Sequence, residues 1–71
     1  MRVTILTEAE IRKCVHLNVD VIDEIENAFS SITLGNATVP PILMLEIPEA
    51  RGETDVKTAY IHGRESFGIK I

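Results

Sequence analysis

Apolar positions along this chain change period once, at Pro40-Pro41: before the pair they recur at helical spacing, and after it they alternate. Val3 to Leu6 opens as a short β-prone run. Thr7-Glu8-Ala9-Glu10 then fits a capping box, in which the Thr7 hydroxyl accepts from the Glu10 amide and the Glu10 side chain bonds back. The spacing predicts a short helix over 8–15, with Ile11, Cys14 and Val15 on one side and Cys14 as a small core residue. Asn18 is a suitable N-cap for a longer helix over 19–34, along which Val21, Ile22, Ile25, Ala28, Phe29 and Ile32 recur. Asp20, Asp23, Glu24 and Glu26 load its first half, where the positive end of the helix dipole favours acid. Gly35-Asn36 supplies a left-handed cap, and the prolines forbid continuation.

Beyond Pro41 three β-prone runs follow, 42–47, 54–61 and 66–71, separated by turn signals at Pro48–Gly52 and His62–Glu65. Helices first and then an antiparallel meander define an α+β class, with two N-terminal helices packed on the sheet. Alternation splits each strand into two faces. One face gathers Leu43, Leu45, Ile47, Val56, Thr58, Tyr60, Phe67, Ile69 and Ile71, all apolar but Thr58, and is expected to pack against the long helix. The opposite face is mixed, with Ile42, Met44, Glu46, Asp55, Lys57, Ala59, Ile61, Ser66, Gly68 and Lys70, and any chemistry should lie there. A two-residue Gly63-Arg64 turn of type II′ would set Lys57 directly opposite Lys70. A first hairpin centred between Glu49 and Ala50 would set Ile42 opposite Lys57. Like charges directly opposite are destabilising, so the two lysines either form an anion site or fan out into water.

Composition narrows the setting. For 71 residues, a compact fold would bury about 7,000 Å² of the unfolded chain's surface. If some 60% of that is apolar, burial contributes on the order of 105 kcal/mol at ~25 cal/mol per Å². Ordering the chain costs about the same at ~1.5 kcal/mol per residue. Outside support is therefore needed. One cysteine allows no internal disulfide, and Cys14, His16 and His62 lack metal-ligand spacing. A partner surface is what remains, and a homo-oligomer is expected. The net charge of −4 without a basic run argues against nucleic acid, and no stretch of 18 apolar residues suggests a membrane span. The early acid at Glu8 does not suit a signal peptide, so a cytoplasmic setting is expected. The last run, Phe67 to Ile71, ends without cap or turn, as in a chain cut within an element.

Several short motifs occur in a familiar order: Ile5-Leu6-Thr7-Glu8, the acidic helix, Val39-Pro40-Pro41, Leu45-Glu46-Ile47-Pro48-Glu49, Lys57-Thr58-Ala59-Tyr60 and Gly68-Ile69-Lys70-Ile71. Together they resemble the N-terminal segment of the ornithine cyclodeaminase/mu-crystallin family, and most of all its ectoine-utilisation members. The resemblance implies that residues 1–71 are a partial substrate-binding and dimerisation domain of a larger enzyme. It implies NAD or NADP as cofactor, held in a Rossmann domain that these residues do not contain. No G-x-G-x-x-G occurs among the four glycines. The family's catalytic acid has no counterpart here, so no catalytic residue is expected in this segment. The lysine of the family's Gly-Val-Lys-Val-like strand matches Lys70, which implies a grip on the carboxylate of a small amino or imino acid.

Two positions depart from the family pattern. Ile42 stands where many members carry arginine after the proline pair, and Lys57 where many carry methionine. In the register above these positions are neighbours, which implies that a positive charge has moved one strand over. Lys57 and Lys70 are thus the candidate substrate-binding residues, and the substrate itself stays open. Two functions compete: part of an NAD(P)-dependent cyclodeaminase-like enzyme, not catalytic alone, or a stand-alone dimerisation or binding module.

Overall fold

The computed structural model describes residues 1–71. Helix α1 spans Glu8–Cys14 and α2 spans Val19–Thr33; strands are β1 (Ala37–Thr38), β2 (Leu43–Ile47), β3 (Gly52–Ile61) and β4 (Gly68–Lys70). The helix ends follow their local chemistry. Thr7 Oγ1 accepts from the Glu10 amide at 3.2 Å while Glu10 Oε2 accepts from the Thr7 amide at 3.3 Å, closing the capping box. The Asn18 side chain accepts from the Val21 amide at 3.0 Å. At the other end of α2 the Gly35 amide donates to Ile32 O and the Asn36 amide to Ser31 O. With Gly35 at φ +75° this is a Schellman cap.

Strand β3 is the spine of the sheet and pairs antiparallel with each of the other strands. Strand β2 runs along its first half, Leu43 opposite Val56 through Ile47 opposite Gly52. Residues Pro48–Ala50 form a single 3₁₀ turn, with Arg51 in the left-handed region at φ 49°, so this hairpin has the expected centre. Strand β1 meets the far end of β3, Ala37 opposite Ile61 and Thr38 opposite Tyr60. Alternation gave no sign of β1, because two residues are too few to alternate. It is set by long-range pairing, extended by the His62 amide donating to Asn36 O at 2.8 Å.

Strand β4 pairs with the middle of β3, Lys57 opposite Lys70, as the parity argument requires. The turn that delivers this register differs from the expected one. The Arg64 amide donates to Ile61 O, so His62 and Gly63 are the central residues, with Gly63 at φ +89°. A glycine with positive φ in the second central position suits a type II turn, and residues 64–67 then lead extended chain into a strand shorter than 66–71.

Packing departs from expectation. No residue is buried, and the accessible surface is 6926 Å², against about 4,400 Å² for a compact chain of this mass. The radius of gyration is 15.6 Å, where a compact domain of this length would have about 11 Å. The long helix does not lie on the apolar sheet face, where Leu43, Leu45 and Ile69 remain 69%, 60% and 57% exposed. Instead, Glu24 and Ala28 share a shallow cleft with Ala59 and Ile61, residues of the opposite face. The reason is geometric. The Schellman cap feeds straight into β1, and Arg64 Nη2 beside Glu24 Oε2 at 3.5 Å tethers α2 to the turn after β3. Val21, Ala28 and Ser31 are the half-buried residues of α2, while Ile22, Ile25, Phe29 and Ile32 stay 50–67% exposed. Cys14 is exposed rather than part of a core.

Candidate functional site

The strand register builds the site. Lys57 and Lys70 stand directly across from one another in the β3–β4 pair, and directly opposed residues share a sheet face. Leu43, opposite Val56, is the last paired residue of β2, so Ile42 lies outside the paired span and its expected place opposite Lys57 is not among the strand partners. Lys57 and Lys70, with Val39, Thr58, Ala59, Gly68 and Ile69, line an open depression of about 360 Å³ along the β3–β4 pair. Ala59 and Gly68 also line the cleft against α2. The lysines thus form one end of a continuous surface strip, with Ala28 and Glu24 at the other.

Both lysines are exposed, and neither has a carboxylate partner. The ion pairs are Arg12–Glu8 at 2.6 Å and Arg64–Glu24 at 3.5 Å, which occupy two of the seven cations elsewhere. Even if the ammonium groups of Lys57 and Lys70 approached to about 6 Å in water, they would repel by only ~0.7 kcal/mol. That is tolerable in an exposed pair, and it becomes an attraction once an anion sits between them. Gly68 leaves the floor open: a Cβ there would approach nothing closer than Ala59 O at 4.0 Å.

A second group on this face escaped the sequence reading as a site residue. Asp55 is half-buried, and its Oδ1 is sealed from water with no hydrogen-bond donor. It precedes Lys57 by two positions in β3 and so points to the same side. The available signal was an aspartate inside a strand, where that residue is disfavoured.

The other polar side chains cluster at the far end of β3. Thr38 Oγ1 and His62 Nε2 are hydrogen-bonded at 2.9 Å. Tyr60 stacks obliquely on His62, with ring centroids 5.7 Å apart, and its hydroxyl accepts from the Gly63 amide at 3.4 Å. These contacts fasten β1 and the turn to β3. Tyr60 therefore packs at a strand end, 39% exposed, rather than in a core.

Comparison with known proteins gives two relatives that match nearly the whole chain. A protein named "Putative dehydrogenase" from Rhizobium meliloti (strain 1021) is 50% identical over 70 residues, 99% of this chain and 21% of its own length. A protein named "Uncharacterized cyclodeaminase" from Sinorhizobium fredii is 52% identical over 68 residues, 94% of this chain and 20% of its own length. The chain thus spans about a fifth of the curated relatives it matches. No family model matches, and no solved structure matches. At about 50% identity nearly the whole chain is similar to one segment of each of these two proteins.

Proposed function

We propose that this chain is the substrate-binding segment of a longer NAD(P)-dependent, cyclodeaminase-like enzyme, in which Lys57 and Lys70 grip the carboxylate of a small amino or imino acid. The observation that carries the proposal is the pairing of Lys57 with Lys70 across β3 and β4, both exposed and without an acidic partner. Two lysines on one sheet face can offer a carboxylate charge-assisted hydrogen bonds from both sides. The names of the two relatives support the enzyme class. The likeness to ectoine-utilisation enzymes read in the sequence makes amino acids of ectoine catabolism the first substrates to try.

In such an enzyme the nicotinamide supplies hydride exchange at the substrate α-carbon. The residues described here do not fit a dinucleotide cradle, which needs a glycine-rich turn between a strand and a helix N-terminus. Gly35 follows a helix, Gly63 lies in a strand-to-strand turn, and Gly52 and Gly68 begin strands. The task of this segment is to hold the carboxylate and so orient the α-carbon. The same reading assigns the uncovered apolar sheet face to contacts with a second copy and with the remaining polypeptide.

The test is Lys70→Met in the full-length enzyme. Removing one hydrogen bond to a charged group should lower kcat/KM by about 2–3 kcal/mol equivalent. The circular dichroism spectrum should be unchanged, because the side chain is exposed. A variant with wild-type kcat/KM would refute the carboxylate grip.

A further inference from the structure

We propose that Gly68 sets the length and bulk of the acid that the Lys57–Lys70 site admits, because the ligand's carbon chain runs from the lysines over the bare backbone of Gly68 towards α2. The inference rests on the carboxylate grip proposed above and adds to it a direction and a size limit.

Nothing in the fold requires this glycine. A glycine at a paired strand position weakens the strand, and it ordinarily marks a left-handed backbone, a bulge or the close approach of another group. The glycines with positive φ are Gly35 and Gly63, and Gly68 is not among them. The ladder runs unbroken from Lys57 opposite Lys70, through Thr58 opposite Ile69, to Ala59 opposite Gly68, so there is no bulge. A Cβ added to Gly68 would meet nothing nearer than Ala59 O at 4.0 Å, so no backbone crowds the position. Room for a ligand is the reason that remains.

The surroundings give the ligand its direction. Gly68 and Ala59 are the cross-strand pair next to Lys57 and Lys70 on the same face, one pleat repeat or roughly 7 Å along the strands. Val39 lines the same depression and offers the chain an apolar contact. Beyond it, Gly68 and Ala59 also line the cleft of about 410 Å³ that contains Ala28 of α2. In the opposite direction the next residue of β3 on this face is Asp55, whose charge repels a carboxylate ligand. An acid held by the lysines therefore has one apolar path, and Gly68 is the point on it where a side chain would stand in the way.

The probes are acetate, butanoate and hexanoate, titrated by NMR into the full-length wild-type, Gly68→Ala, Gly68→Val and Lys70→Met proteins. Wild type should bind the longer acids more tightly, by roughly fourfold for each methylene taken up against Ala59 and Val39. Gly68→Val should leave acetate unchanged and cancel that gain, and Gly68→Ala should cancel part of it. Lys70→Met should weaken all three acids. If Gly68→Val leaves the ratio of hexanoate to acetate affinity as in wild type, the chain does not cross Gly68 and the proposal is overturned. If it weakens all three acids alike, Gly68 acts on the lysines and not on length, which also overturns it. In both cases the lysine grip stands as long as Lys70→Met weakens all three, whereas a silent Lys70→Met removes the grip and the role of Gly68 with it. Thermal unfolding gives a second reading. Gly68→Ala should unfold at or above the wild-type midpoint, since alanine suits a strand better and has room here. A midpoint lowered by several degrees would show that the glycine serves packing in the longer protein and would overturn the proposal. Should Gly68→Val not fold, Gly68→Ala is read on the same affinity ratio.

Discussion

Replacing Lys70 by glutamate should make the protein more stable and less able to bind its substrate. The two lysines face each other across β3 and β4, so the change turns a repulsion into an attraction at a fixed register position. Were the charges as close as about 6 Å in water, each term would be ~0.7 kcal/mol, which bounds the swing at about 1.4 kcal/mol. Both side chains are exposed, and at physiological ionic strength the screening length of about 8 Å approaches the separation itself. Exposed pairs typically return 0.2–1 kcal/mol, so a gain of about 0.5 kcal/mol is the working expectation. Urea denaturation at 20 mM and 500 mM salt reads it: the midpoint should rise relative to wild type at low salt, and the advantage should shrink at high salt. Substrate kcat/KM should fall further than for Lys70→Met, because glutamate repels the carboxylate that methionine merely fails to hold. A Lys70→Glu protein that is less stable at low salt would refute the register-based account of the repulsion. One that keeps its kcat/KM would refute the site.

Two further outcomes are expected. Gly35→Ala should cost about 1–2 kcal/mol, because the Schellman cap holds φ at +75°, which a side chain resists even though nothing lies within 4 Å of the added Cβ; denaturation of the variant checks it, and a neutral result would refute the strain. The isolated 71-residue chain, with no buried residue, should be folded only as a dimer or larger species at micromolar concentration; sedimentation that finds a cooperatively folded monomer would refute this.

The parts of the fold legible in the sequence are those governed by neighbours in the chain. Thr7, Asn18 and Gly35 act within three or four residues of themselves, and the helix ends fall within a residue of the reading. Alternation correctly put Lys57 and Lys70 on one face, but the expected two-residue loop is a six-residue connection, and residues 64–67 beyond the His62-Gly63 turn carry β4 on to the position opposite Lys57. Strand β1 was not legible, because Ala37 and Thr38 pair only when chain 24 positions away arrives beside them, as the Thr38–His62 contact shows. The face of the sheet that α2 approaches was misread for a different reason. An apolar stripe records that a surface needs cover, but not which surface supplies it. Here the Schellman cap and β1 bring Glu24 and Ala28 of α2 beside Ala59 and Ile61, and Phe29 stays 67% exposed.

The same distinction separates the two faces of the sheet. On the apolar face, Leu43, Leu45 and Ile69 carry no charge that would prevent burial and leave much of their surface in water. The structure exposes some 2,500 Å² more than a compact chain of this mass would. That excess is the scale of one partner's share in a large obligate interface, and the relatives are about five times as long as the segment they match. The opposite face is built differently. α2 approaches its Ala59–Ile61 end, while Lys57 and Lys70 stay exposed. Covering the two ammonium groups with apolar protein would cost far more than a small domain can bear, so on the proposed reading a small carboxylate is what would neutralise them. The register enforces this division, since a one-residue slip of β4 would turn Lys70 onto the apolar side and expose Ile69 in its place.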